Sequence, residues 1–324
     1  MNSELFLADL HRKPEALRGL AAELQRGNPW ELLTKRPERV VLLGMGSSAY
    51  AAGVAAARLR ARGILAVSEL ASSDLLPHWG SEALAVAISA TGGSRETLDA
   101  LDRLQGGATT VALTNTPGSP MTERCAQTVL MHAGPEHGGV ACRSFQHTLA
   151  LLLALEAYLT GSSLGPVLDT VHRAADASAH LLETSADWLP ELTALLDGPD
   201  GTHLAAPARR LSSAQQGSLM LRECPRRFAV GCEAGDWAHV DVYLTKNTDY
   251  RLLVFAGSAW DDGIVEWTGP RETTVVCVGG EFPGARYSLR YPGDDVDDVR
   301  LLTEVLVPEL VAASLWSQQA VAGG

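Results

Sequence analysis

The sequence predicts an α/β protein built from two domains, each a doubly wound parallel sheet with helices on both faces. Short, continuous apolar runs such as Val40–Gly44 are typical of buried parallel strands. These runs alternate with helical segments, and strand–helix–strand units of this length imply a parallel sheet. The alternation stops at Pro166–Leu196, which is helical and amphipathic, and then resumes in a weaker form.

The first series of elements opens with helical residues Asn2–Gly27 and closes with the apolar helix Ser144–Tyr158. The strands expected between them are Val40–Gly44, Leu65–Glu69, Leu84–Ser89, Thr109–Thr114 and Gln127–Met131. The expected helices are Tyr50–Arg60, Ser72–Leu76, Ser94–Leu104 and a short one before the last strand.

The second series resembles a degenerate copy of the first. Its expected strands are Thr202–Ala206, Phe228–Gly231, Arg251–Ala256 and Thr273–Val278, and its expected helices are Arg210–Glu223 and Val299–Ala320. We therefore expect an N-terminal helix with the first domain at residues 1–165, a helical connector at 166–195 and the second domain at 196–324.

Charge and composition exclude several classes of protein. The 324 residues carry a net charge of −12, which argues against nucleic-acid binding. Lysine occurs only at positions 13, 35 and 246, so an anionic ligand must be held mainly by other donors. The longest apolar run, Leu149–Leu155, is too short to cross a membrane. The sequence shows no signal-peptide pattern. We expect a cytoplasmic protein without membrane contact.

Two polar loops follow predicted strands of the first domain and lead into helices. They are Gly44–Ser48 and Ser89–Ser94, both rich in hydroxyls and small residues. Free backbone N–H groups at a helix N-terminus suit a phosphate dianion, and ligands bind outside the carboxyl ends of parallel strands. The plainer alternative is that Ser47 and Ser94 only cap their helices. Two such loops together favour an anion site.

A family resemblance rests on several segments in the same order. Residues 89–97 resemble the SxSGxSxET phosphate loop of SIS-domain phosphosugar isomerases, and residues 4–18 resemble the start of the isomerase domain of glucosamine-6-phosphate synthase. Residues 132–141 resemble the AGxExGVAS segment of that family. The resemblance implies two SIS domains of flavodoxin-like fold, joined by helices.

The resemblance also implies which residues bind a phosphorylated sugar. It assigns the phosphate to the hydroxyls of Ser47, Ser48, Ser89, Thr91 and Ser94, assisted by the amides of Ala90 and Gly92. The backbone of Gly139, Val140 and Ala141 is expected to touch the sugar hydroxyls, and Glu136 is either a binding residue or a structural one. Neither a metal ion nor another cofactor is expected, because His132, Glu136 and His137 lack a further ligand at suitable spacing.

The second domain contributes a candidate pair for proton transfer. Glu223 ends a segment similar to the family's LKLKE, whose glutamate moves the proton between C1 and C2, and His239 follows at the family's spacing of sixteen residues. A carboxylate at a helix C-terminus faces the negative end of the dipole, which raises its pKa towards that of a useful base. The alternative is an ordinary solvated acid and a loop histidine.

Departures from the synthase pattern narrow the expected reaction. The sequence contains no glutaminase-type nucleophilic cysteine near its start and no lysine after Lys246, so we expect chemistry independent of glutamine. The favoured function is aldose–ketose isomerisation or deamination of a 6-phosphorylated sugar or amino sugar. Deglycation of a phosphorylated sugar–amine adduct and a regulatory protein that binds without turnover stay open. Family members of this kind form homodimers, and we expect His239 to act in the neighbour's active site.

Overall fold

The computed structural model describes residues 1–104 and 107–322, and within them the chain carries two parallel five-stranded sheets. The chain divides into two compact units. The first-sheet unit comprises Glu15–Pro135 and Ala141–His172. The second-sheet unit comprises Met1–Pro14, Glu136–Val140 and Arg173–Gly324, so both ends of the chain belong to it.

The strands have the following bounds: β1 Arg39–Gly44, β2 Leu65–Leu70, β3 Ala83–Ile88, β4 Thr109–Thr114, β5 Gln127–Leu130, β6 Thr202–Ala206, β7 Ala229–Glu233, β8 Arg251–Phe255, β9 Thr274–Val278 and β10 Tyr287–Leu289. The first sheet has the order β2-β1-β3-β4-β5, and the second has the order β10-β9-β8-β6-β7. Read from the other edge, the second order repeats the first. Each sheet is doubly wound, as the sequence predicts.

The helices are α1 Ser3–His11, α2 Lys13–Leu24, α3 Ser47–Ala61, α4 Arg95–Arg103, α5 Pro120–Arg124, α6 Arg143–Thr160, α7 Gly165–Glu183, α8 Ser185–Leu196, α9 Leu211–Glu223, α10 Trp237–Val240, α11 Asp261–Thr268, α12 Asp297–Thr303 and α13 Leu306–Ala322. Short 3₁₀ turns lie at Pro29–Leu32, Ala208–Arg210, Val242–Lys246 and Gly269–Arg271.

Burial explains why the sequence shows these elements so clearly. Every residue of β3 is buried, as expected for a central strand covered on both faces. Almost every residue of α6 is also buried, so its sequence lacks the polar stripe of a surface helix. The α6 residue Glu156 accepts hydrogen bonds from Arg58 at 2.7 Å and Arg62 at 3.1 Å, which fastens α3 to α6.

The predicted helix Ser72–Leu76 is wrong. The segment forms turns, with the Ser73 hydroxyl accepting a hydrogen bond from the Leu75 amide at 3.1 Å. Serine offers the backbone such a local partner in place of helical bonds, and Pro77 disfavours the helical conformation of the residue before it.

The predicted last helix is interrupted, and three short elements have no counterpart in the prediction. The helical conformation is interrupted between α12 and α13, around Glu304 and Val305. The elements that the sequence did not predict are α10, α11 and the three-residue strand β10. A strand of this length has too few residues to show a period.

Candidate functional site

The predicted phosphate loops of the first-sheet unit lie beside each other. β1 and β3 are paired neighbours, with Leu43 opposite Ala87, and the chain leaves them towards opposite edges of the sheet. In an open α/β sheet this topological switch point forms the crevice where ligands bind. The loops after β1 and β3, Gly44–Ser48 and Ser89–Ser94, therefore flank that crevice. We call these two loops the hydroxyl cradle.

The first loop leaves the start of α3 open. Its N-cap, Gly46, has a φ of 51°, and no side-chain cap is recorded for this helix among the described residues. Ser47 and Ser48 are the first two residues of α3 and are partly exposed. Close packing requires the glycine at 44, because a Cβ there would come within 2.8 Å of the Ser48 Cβ. The arrangement gives an anion access to backbone donors and two hydroxyls.

The second loop is a tight turn around Gly92. The Gly92 amide donates to the Ser89 carbonyl at 3.1 Å, so this predicted phosphate donor already closes the turn. Gly92 has a φ of 63°, and a Cβ on it would lie 2.0 Å from the Ser119 Oγ. Only glycine fits both the conformation and the space. The Ser89 side chain is buried at the floor of this turn, whereas Thr91 is exposed at its rim.

Ser94 has local partners in addition to its predicted role. Its hydroxyl accepts from the Thr97 amide at 3.4 Å, which caps α4, and donates to Glu96 at 3.0 Å. A backbone hydrogen bond, and then the bond from Ser94, hold the pKa of Glu96 below its ordinary value. Donation to a phosphate would require this hydroxyl to turn away from Glu96.

The cradle has supports that the sequence reasoning missed. The carbonyl of Ala90 accepts hydrogen bonds from the Asn115 amide at 3.1 Å and from the hydroxyls of Thr114 and Thr116 at 3.2 Å each. The Asn115 side chain then joins Ala133 and Gly134 in the loop after β5. These polar residues lie at the end of β4 and directly after it, so the rule that identified the first two loops also applies to them.

The third predicted segment, His132–Ala141, is divided between the two units. Ala141 belongs to the first-sheet unit, while Glu136, Gly139 and Val140 belong to the second-sheet unit. There the Gly138 amide donates to Asp9 of α1 at 2.7 Å, and a Cβ on Gly138 would lie 2.5 Å from the Cα of Phe6. Helix α1 thus fixes this segment. Glu136 is half-buried.

Glu223 ends α9, which packs closely on the second sheet. A Cβ on Gly231 of β7 would lie 2.4 Å from the Ala214 carbonyl of α9, so this glycine allows the close contact. Partial removal of water raises the pKa of Glu223, and neighbouring Arg222 acts in the opposite direction. The raised pKa is the shift that a general base requires. Its main cause is desolvation, whereas the sequence argument named the helix dipole.

His239 lies on the short helix α10, which a buried network anchors. Trp237 of α10 donates to the Tyr250 hydroxyl at 2.8 Å, and that hydroxyl donates to Asp241 at 2.9 Å. His203 of β6 contacts the same carboxylate at 3.1 Å and stacks on the Tyr250 ring. The sequence reasoning did not identify this network, although it fixes the backbone that carries His239.

A cavity of about 460 Å³ lies beside His239 in the second-sheet unit. Its lining residues are Glu233, Ala234, Gly235, Asp236, Ala238, His239, Trp260, Gly263 and Ile264. The Trp260 ring is 63% exposed, and Glu233 uses one carboxylate oxygen to hold the amides of Gly235 and Asp236. Acidic and aromatic groups therefore surround the histidine.

Glu223 and His239 do not converge within one chain. Glu223 lies a few residues before the start of β7, whereas His239 follows its end, so the two residues lie at opposite ends of the second sheet. A strand of five residues spans about 16 Å. Within one chain, the length of β7 therefore separates the two residues.

Neither a cluster of metal ligands nor a membrane-spanning helix occurs within residues 1–104 and 107–322. No group of three or more His, Cys, Asp or Glu residues is arranged to hold a metal ion there. Across the same ranges, no helix is long and apolar enough to cross a membrane.

Comparison with known proteins matches residues 32–158 to the SIS domain. The glutamine–fructose-6-phosphate aminotransferase of Methanothermobacter thermautotrophicus is 25% identical over 94% of this chain and 52% of its own length. That of Halobacterium salinarum is 29% identical over 75% of this chain and 44% of its own. The chain spans about half the length, or less, of these curated relatives.

Solved structures share the complete two-sheet fold. The C-terminal domain of glucosamine-fructose-6-phosphate aminotransferase from Francisella tularensis superposes with a TM-score of 0.82 at 14% identity, covering 97% of this chain and 96% of that one. The glucosamine-6-phosphate deaminase of Thermotoga maritima gives 0.71 at 17% identity, covering 97% and 95%. The tagatose-6-phosphate ketose/aldose isomerase of Escherichia coli gives 0.77 at 13% identity, covering 98% and 93%.

Proposed function

Because the chain carries a SIS domain and its homologues are the isomerase domains of glutamine–fructose-6-phosphate aminotransferases, we propose that it isomerises or deaminates a 6-phosphorylated sugar. The reaction moves a proton between C1 and C2. The structural relatives that support this proposal include an isomerase and a deaminase.

The observation that carries the proposal is the hydroxyl cradle at the switch point of the first sheet. The cradle offers the hydroxyls of Ser47, Ser48, Ser89 and Thr91 beside the open N-terminus of α3. Uncharged donors and the helix dipole suit a phosphate monoester in a chain with few lysines. In the proposed complex the phosphate binds here, and the cradle sets the position of the sugar's other end.

Glu223 is the proposed general base. Its carboxylate takes the proton from C2 or C1 and returns it to the adjacent carbon, through an enediol or enolamine intermediate. Desolvation raises the pKa of this carboxyl, which makes the carboxylate a stronger base than a fully hydrated glutamate. No ion pair involves the carboxylate among the described residues, and the nearby charge of Arg222 lowers its pKa by less than desolvation raises it.

His239 is proposed to assist ring opening or departure of the amine in the active site of a second copy. The separation of Glu223 and His239 across β7 supports this division between chains. In a symmetric dimer each site would receive Glu223 from one chain and His239 from the other. The anchored helix α10 gives the histidine a fixed position from which to act.

Solvent-proton exchange tests the proposal directly. The protein is incubated with fructose 6-phosphate or glucosamine 6-phosphate in heavy water, and deuterium at C1 and C2 is followed by NMR. We expect exchange with the native chain and a loss of at least about a hundredfold in Glu223→Gln. Glu183→Gln is the matched control, because Glu183 is also a glutamate that ends a helix. Binding of phosphosugars without exchange would instead support a regulatory protein.

Deglycation of a phosphorylated sugar–amine adduct is a second candidate. It is favoured by the carboxylates of Glu233 and Asp236, which line the cavity beside His239 and would attract a protonated amine. Release of free amine from a 6-phosphofructosyl amine, measured with an amine-reactive dye, distinguishes this reaction from isomerisation. An adduct that is bound but never cleaved would argue against it.

A further inference from the structure

The second sheet has a switch point of its own, and the proposed sugar site does not use it. β6 and β8 are paired neighbours, with Ala205 opposite Val254, and the chain leaves them towards opposite edges. The segments after these strands, 207–210 and 257–260, therefore flank the crevice that corresponds to the hydroxyl cradle of the first sheet. By the same topological rule this crevice is a potential ligand site.

Three arginines converge at this crevice, where the first sheet has hydroxyls. A Cβ placed on Gly257 would lie 2.9 Å from the Arg300 Nη1, 3.3 Å from the Arg210 Nη2 and 3.6 Å from the Arg209 Nη2. Arg209 also donates to the Gly257 carbonyl at 2.7 Å, which links the segments after β6 and β8. We call Arg209, Arg210 and Arg300 the arginine cluster.

A carboxylate of the chain already lies among these guanidinium groups. Asp297 is 2.6 Å from the Arg209 Nε, 3.2 Å from the Arg210 Nε and 3.7 Å from the Arg300 Nη1. The side chains of Arg209 and Asp297 are 43% and 40% exposed, so solvent reaches this contact. Three arginines around one accessible carboxylate form the environment that proteins use for a dianion.

The loop after β8 also binds a carboxylate of the chain, here through backbone amides. Asp261 accepts hydrogen bonds from the amides of Gly257 at 2.7 Å and Ser258 at 3.1 Å. Successive backbone amides in a turn form an anion-binding concavity. The crevice is therefore built from anion-binding groups on both sides, and carboxylates of the chain satisfy them.

A buried tyrosine hydroxyl lies beside the cluster. The Tyr291 side chain is 4% exposed, and its OH makes no hydrogen bond within the described residues. The Cβ position of Gly279 lies 3.4 Å from this hydroxyl and 3.6 Å from the Arg300 Nε, so the two groups face the same space. Such an unused donor is unusual in a folded interior and fits a site that lacks its ligand.

We propose that the arginine cluster binds a phosphate dianion, either inorganic phosphate or the phosphate of a monoester. Arg209 and Arg300 contact the phosphate oxygens, and the carboxylate of Asp297 moves into solvent as the phosphate replaces it. Buried Arg210 keeps its ion pair with Glu304, and its positive charge adds to the attraction for the phosphate. This site is separate from the proposed sugar site, so either can fail without the other.

Equilibrium dialysis with radiolabelled inorganic phosphate tests this proposal. The native chain is expected to bind two phosphates, and Ser89→Ala/Ser94→Ala to keep one. Arg209→Gln in that cradle variant should lose the remaining phosphate. Asp297→Asn should instead tighten it by about tenfold, because the internal competitor loses its charge. Competition by glucosamine 6-phosphate in the cradle variant would identify a monoester as the ligand, and its absence would identify free phosphate.

Two results would overturn the proposal. One is a single phosphate per native chain that only the cradle substitutions abolish. The other is weaker phosphate binding in Asp297→Asn, which would mean that this carboxylate organises the arginines and does not compete with an anion. Circular dichroism of Arg209→Gln checks that the variant is folded, and the Asp297→Asn measurement is independent of that variant.

Discussion

Lys13 and Glu309 lie 296 residues apart in the chain and form an ion pair in which both side chains are completely buried. Lys13 begins α2 and Glu309 lies in α13, so the pair joins the two ends of the chain within the second-sheet unit. Burial raises the pKa of Glu309 to about 7, opposed by Lys13 and reinforced by Glu136. The pair therefore lies near a residue of the predicted sugar-binding segment.

Removal of one partner should be far more harmful than removal of both. Lys13→Met leaves a buried carboxylate without its cation, and we expect a loss of about 3–5 kcal/mol in the free energy of unfolding. Lys13→Met/Glu309→Leu replaces the pair with apolar side chains and should recover most of that loss. Urea unfolding of the two single variants and the double variant measures the coupling. Additive effects would show that the two residues do not act as a pair.

The same pair predicts a pH dependence of stability. An acid whose pKa is raised in the folded state favours folding while it is protonated, and it loses that contribution as the pH rises above its unfolded value. For Glu309 the loss falls between 4.5 and about 7. Between pH 4.5 and about 7, the free energy of unfolding of the native chain should therefore fall relative to that of Lys13→Met/Glu309→Leu. Above this range the difference between the two should stay constant. A constant difference from pH 4.5 to 7 would contradict the assignment.

Gly92 offers a sharp test of the hydroxyl cradle. Gly92→Ala places a Cβ against Ser119 in a left-handed conformation, and we expect a loss of about 2–4 kcal/mol in stability together with weaker phosphosugar binding. Gly93→Ala is the matched control, since the nearest atom to its added Cβ is the Thr91 Oγ1 at 3.9 Å. Thermal unfolding and calorimetric titration with glucosamine 6-phosphate measure both effects. Equal behaviour of the two variants would show that the turn tolerates a side chain.

Periodicity and glycine placement predicted every strand of the two sheets except β10. The strands Thr109–Thr114 and Thr202–Ala206 have the predicted bounds in the structure. Position after the strands β1 and β3 also pointed to the two cradle loops, which the strand order makes neighbours. In these cases local sequence and tertiary environment favour the same conformation.

Features that depend on tertiary contacts between side chains were not predictable in this way. The Trp237–Tyr250–Asp241 network and the arginine cluster bring together residues whose sequence neighbours show no shared pattern. Tertiary contacts determine these arrangements, and the local sequence pattern does not indicate them.

The raised pKa of Glu223 predicts the shape of the pH–rate profile. A general base must be ionised, so the acidic limb of kcat/KM should lie above the ordinary glutamate value of 4.5. Arg222 lowers this pKa, so Arg222→Gln should move the limb to still higher pH. Arg222→Lys keeps the charge and should restore the native profile. An acidic limb that does not respond to Arg222 would indicate that another group is the base.

Mixing two inactive variants tests whether active sites are shared between chains. In a dimer of Glu223→Gln with His239→Asn, one site would carry both substitutions and the other would carry none. Random exchange of subunits should therefore restore about a quarter of the native rate of proton exchange, as expected for a symmetric dimer. The observation behind this expectation is that β7 separates the two residues within a single chain. Mixtures of Glu223→Gln with Glu223→Asn provide the control and should stay inactive. If the first mixture also stays inactive while subunits exchange, Glu223 and His239 do not serve one substrate, and the proposed role of His239 is wrong.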